Sequence, residues 1–76
     1  MSHAATESVT DIAYVSLSRR LTGALSGQLE GDIIVYRGIK PDIELDNDYS
    51  YNDLLLSFRD ALELASALIQ AAGALK

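Results

Sequence analysis

The sequence predicts a small α+β protein: an antiparallel sheet of two or three strands from residues 11–37, packed on a long C-terminal helix over 51–72. Three observations lead there. Apolar residues and glycines alternate with polar residues through 13–35, the last third repeats its apolar residues at helical spacing, and a proline-bearing acidic segment lies between. A chain of 76 residues is expected to form one domain over 1–76 with a single core, preceded by a flexible, small and polar stretch at 1–8.

The alternation is long. Of the twelve odd positions from Ala13 to Val35, eleven are apolar or glycine, and of the nine even positions from Ser16 to Asp32, eight are polar. The competing helical reading aligns Leu17, Leu21, Leu25 and Leu29, but it places Gly23, Gly27 and Gly31 inside a helix, at about 1 kcal/mol each relative to alanine. Strands use glycine at bulges, bends and close backbone approaches, so strands are preferred. The alternative is a helix at 9–22 followed by a strand and the C-terminal helix. Ser8 with Asp11 supplies its start signal.

"DIIVYRG" (32–38) is the plainest strand, with β-branched and aromatic residues ended by Gly38. Glu30-Gly31 is placed as a tight turn pairing it with 21–29, and "DIAYVSLS" (11–18) is a further strand. Residues 38–50 form a connection that includes a short edge strand at 42–45, entered after Pro41. The final helix takes Ser50 or Asn52 as its cap, Asp53 against its positive end and Gly73 as its stop.

That helix is too greasy for its domain. Leu54, Phe58, Ala61, Ala65, Leu68, Ala72 and Leu75 follow a 3-4 spacing, Leu55, Leu62 and Ile69 lie beside them, and Leu56, Leu64 and Ala71 widen the stripe. A domain of this size has too few other residues to cover such a face, so a second copy or another protein is expected to do so. The expected interface comprises Leu54, Phe58, Ala61, Leu62, Ala65, Leu68, Ile69 and Ala72.

Charge is lopsided. Residues 1–40 hold four acids and four bases, whereas 41–76 hold seven acids against Arg59 and Lys76. Phosphate-backbone binding needs an excess of Lys and Arg, so no nucleic-acid partner is expected. The acids concentrate in "DIELDNDYSYND" (42–53), whose Asp42, Glu44, Asp46, Asp48, Tyr49 and Tyr51 form a candidate docking surface for a basic site on another protein. Read as a calcium loop, the stretch puts Asp42, Glu44, Asp46, Asp48, Ser50 and Asp53 at the ligand positions. It ends in Asp in place of the required Glu and is entered by a proline-bearing extended segment, so it is read as an acidic loop capping the helix.

Chemistry has little purchase here. Cysteine is absent and His3 is the sole histidine, at the N-terminal end, where a frayed or tag-derived segment accounts for it. That leaves no activated nucleophile, no thiolate site and no phosphate-binding glycine motif, so neither enzyme activity, cofactor nor metal is expected. No apolar run reaches membrane-spanning length and no signal peptide is visible, which gives the expectation of a cytoplasmic protein. The leading functional expectation is a non-enzymatic protein–protein interaction module that self-associates through its C-terminal helix, as a dimer in the simplest case. The alternatives are a small acidic inhibitor of the phage or plasmid type, and a small-ligand or metal binder with an intersubunit site.

Overall fold

The computed structural model describes residues 10–75. The elements run β1 (Asp11–Ser16), a single helical turn α1 (Leu17–Arg20), β2 (Asp32–Arg37), β3 (Leu54–Ser57) and α2 (Phe58–Gly73). The expectations for 1–8 and His3 lie outside the described residues. An α+β chain with a small sheet and a C-terminal helix is what the sequence predicts, and the sheet's make-up differs from the prediction in instructive ways.

The three strands stand in the order β1-β2-β3. β1 runs antiparallel to β2, with Tyr14 opposite Ile34, and β3 runs parallel to β2, with Leu55 opposite Ile34. The sheet is therefore mixed, not purely antiparallel. Its third strand comes from residues placed by sequence inside the helix. "LLLS" is an uninterrupted apolar run, the pattern of a strand flanked on both faces, and it lies beside β2 after the long crossover that parallel pairing requires.

Helix α2 consequently begins at Phe58. Its cap is Ser57, whose Oγ accepts a hydrogen bond from the Asp60 backbone N–H at 3.1 Å, with Asp60 also in the first turn. Ser50 and Asn52 cap nothing. The helix ends at Gly73, as expected.

Residues 21–29 form turns, not a strand. Ser26 N–H bonds to the Gly23 carbonyl and Gln28 N–H to the Leu25 carbonyl, and Gly27 adopts a left-handed φ of 81°. The alternation there is real in composition but has no ladder to join, because β1 already occupies the antiparallel edge of β2. The alternative helix at 9–22 survives only as the turn α1. Residues 42–45 also lack a ladder. They keep an alternating exposure, Ile43 and Leu45 half-buried against exposed Asp42, Glu44 and Asp46, without strand pairing.

Gly31 is constrained in both backbone conformation and space. Its φ is 137°, and a Cβ there would overlap the Asn52 carbonyl, because residue 52 passes directly over it and donates its N–H to the Glu30 carbonyl at 2.9 Å. This is the close backbone approach for which strands employ glycine.

Register and pleat assign the two sheet faces. One carries Ile12, Tyr14, Ile34, Tyr36 and Leu55; the other carries Ala13, Val15, Ile33, Val35, Leu54 and Leu56. Both are apolar, so the sheet calls for a covering layer on each side. The described chain supplies little of either. Ile34, 4% exposed, is the only buried hydrophobic side chain among the described residues. The radius of gyration, 15.4 Å, exceeds the roughly 11 Å of a compact chain this long.

Candidate functional site

The candidate site is the apolar surface of α2 and the sheet beside it. At 100° per residue, Phe58, Ala61, Leu62, Ala65, Leu68, Ile69 and Ala72 share an arc of about 120°, while Arg59, Glu63, Ser66 and Gln70 occupy the opposite side. Phe58 lies against the sheet, 5.8 Å beneath the Arg37 guanidinium, and Ala61 is half-buried. Beyond Ala61 every residue of the helix is exposed, including Leu68 at 62% and Ile69 at 72%. From Leu64 to Leu75 the helix surface has no charged residue. Leu54, grouped by sequence with this row, sits instead in β3 and is exposed there.

The Arg37 side chain also pairs with Asp11 across the β1–β2 ladder at 2.8 Å, both partners being largely exposed. An exposed pair of this kind contributes at most about 1 kcal/mol. It ties the open end of the sheet to the start of α2 through one guanidinium.

The acidic surface is real as a surface. Asp42, Glu44, Asp46 and Asp48 are exposed, and Tyr49 is 100% exposed. Tyr51 is different. It is half-buried, in an isolated parallel bridge with Glu30. Desolvation first, then the carboxylates of Asp32, Asp53, Asp46 and Glu30, push its phenol above the ordinary tyrosine range.

Asp53 organises this region. Its Oδ1 accepts from Asp32 N–H and its Oδ2 from Asp46 N–H, each at 3.0 Å, while its own N–H bonds to the Asp46 carbonyl at 2.9 Å. One carboxylate thus clamps the acidic loop to the start of β2. The sequence reading put Asp53 at a helix end; it stands before β3 instead, and the loop caps no helix. The loop's carboxylates do not converge, and among the described residues no three His, Cys, Asp or Glu side chains are grouped to hold a metal ion.

An open concavity of about 640 Å³ lies between Tyr14, Ser16, Ser18, Arg19, Arg20, Asp32 and Tyr51. Its lining is mostly polar and of mixed charge, unlike the apolar enclosure of a typical small-molecule site. No helix among the described residues is long and apolar enough to cross a membrane.

The sequence reading missed three features here: the role of Ser57, the clamp made by Asp53 and the unpaired outer edge of β1. Ser57 with Asp60 three residues on is a legible capping signal. The β1 edge could not be seen before the strand order was known. Searches for similar proteins find no matching family model, no matching curated protein and no matching solved structure.

Proposed function

We propose that this chain is a non-enzymatic protein–protein interaction module that self-associates through α2, most simply as a dimer. One observation carries the reading: an apolar arc with no charged residue from Leu64 to Leu75 stands exposed on a domain in which Ile34 is the only buried hydrophobic side chain among the described residues. Contiguous apolar surface of this extent marks interaction sites on small proteins. Without cysteines, a domain with so little core gains its missing stability from a partner subunit. The proposal includes a cytoplasmic location and no catalytic role.

Light scattering on the eluting protein tests it. The reading expects a mass at least twice that of the 8.2 kDa chain. A strictly monomeric species at every concentration would remove it.

A second reading has its own support. Fully exposed Tyr49, beside Asp48 in the acidic loop, supplies an aromatic anchor for a basic site on another protein, the mode of a small acidic inhibitor. It expects salt-sensitive capture of a basic partner, lost on Asp46→Asn with Asp48→Asn; binding indifferent to salt contradicts it.

A further inference from the structure

We propose that the outer edge of β1 is a second self-association surface, occupied by β1 of another copy in antiparallel register about Tyr14. The inference shares self-association with the proposed function but uses a different surface. The backbone defines which groups are available. Leu17 N–H bonds to the Gly31 carbonyl at 3.0 Å, continuing the β1–β2 ladder past Ser16 opposite Asp32. Hydrogen-bonded pairs alternate along an antiparallel ladder, so Asp11, Ala13 and Val15 also bond inward to β2. Ile12 and Tyr14 therefore point their N–H and C=O groups outward, and Ser16 its N–H, where no described strand meets them, while the Ser16 carbonyl opens the turn α1.

Edges of this kind are ordinarily blunted by lysine, proline, a bulge or a covering segment. "IAYVS" has none of these devices, and Tyr14 is 61% exposed on it. A two-fold axis at Tyr14 sets Tyr14 against Tyr14 of the second copy, Ile12 against its Ser16 and Ala13 against its Val15. The two tyrosines form an aromatic cross-strand pair on one face. No like charges meet. Asp11 comes opposite Leu17 of the second copy, at the start of the turn that carries Arg19 and Arg20, so the charges at the ladder's ends are complementary. The product is a continuous six-stranded sheet, within the usual size range.

Because the chain lacks cysteine, introduced thiols report the register directly. Directly opposite residues in a hydrogen-bonded antiparallel pair have Cα atoms about 5.5 Å apart, inside the roughly 4.4–6.8 Å span of a disulfide. The two Ile12 positions would stand about 13 Å apart along the strands. Under mild oxidation the full chain bearing Tyr14→Cys should convert mainly to a disulfide-linked dimer, and Ile12→Cys alone should not. Equal crosslinking of both, or of neither, overturns the proposal. If Tyr14→Cys fails to fold, mixing Ile12→Cys with Ser16→Cys applies the same test. The mixed disulfide should then dominate over either self-linked species, and a random mixture or none overturns the register.

The two surfaces fail separately. No crosslink at Tyr14→Cys in an assembly that Leu68→Asp still dissociates defeats the β1 edge and leaves α2. A crosslinked assembly indifferent to Leu68→Asp does the reverse.

Discussion

Leu68→Asp probes the apolar arc at one of its large exposed side chains. Leu68 is 62% exposed in the single chain. Full burial of a leucine stabilises by about 1.5–3 kcal/mol, so covering its exposed part contributes roughly 1–2 kcal/mol per copy. In a two-fold contact the loss counts twice, roughly 2–4 kcal/mol. Aspartate also drags a carboxylate into apolar surroundings, adding about 1–3 kcal/mol per stranded polar group. The combined effect exceeds about 4 kcal/mol, close to a thousandfold in dissociation constant at about 1.4 kcal/mol per factor of ten. Sedimentation velocity over a wide concentration range reads this directly. Ser66→Asp, on the polar side of the same helix, is the control and should leave assembly intact. Wild-type assembly by Leu68→Asp, or equal dissociation by Ser66→Asp, would refute the assignment of the contact face.

Three further outcomes follow from the loop that holds the sheet together. Gly31→Ala forces a side chain into the Asn52 carbonyl at a φ of 137° and should lower stability by at least about 1–3 kcal/mol in chemical denaturation; an unchanged midpoint contradicts the crossing seen there. Asp53→Asn leaves one carbonyl oxygen where two carboxylate oxygens accept from Asp32 and Asp46, costing about 1–2 kcal/mol, and a neutral result would deny the clamp. The raised Tyr51 phenol holds its proton more tightly in the folded chain than in the unfolded one. Its contribution to stability is complete below the unfolded value near 10 and disappears as pH climbs through the higher folded value. Tyr51→Phe should therefore remove part of the alkaline loss of stability in melts followed by circular dichroism, and an identical alkaline profile would contradict the cause given.

The legible parts of the fold were those set by local chemistry. "DIIVYR" has strand propensity along its whole length and pairs as a strand, and Gly73 ends the helix. Gly31, placed by sequence in a tight turn with Glu30, instead lies where two backbones touch, one of the uses strands make of glycine. What escaped was decided by non-local pairing. Leu54–Ser57 satisfies a helical stripe and a flanked strand equally well, and only its place beside β2 selects the strand. Residues 21–29 alternate like a strand but turn back on themselves, because their would-be neighbour is already paired with β1. The excess of apolar surface on the last helix was readable from spacing alone, since it depends on a count of residues and not on topology. The clamp by Asp53 was not, because its partners Asp32 and Asp46 are brought together only by the crossover between β2 and β3.

The most direct measurement is the melting temperature of the wild-type chain as a function of its own concentration. A domain that completes its core with a second copy melts at higher temperature as concentration rises, by mass action. The prediction is a steady upward shift, accompanied by a mass above 8.2 kDa in the same samples. A cooperative melt at one fixed temperature across all concentrations, from an 8.2 kDa species, would contradict it.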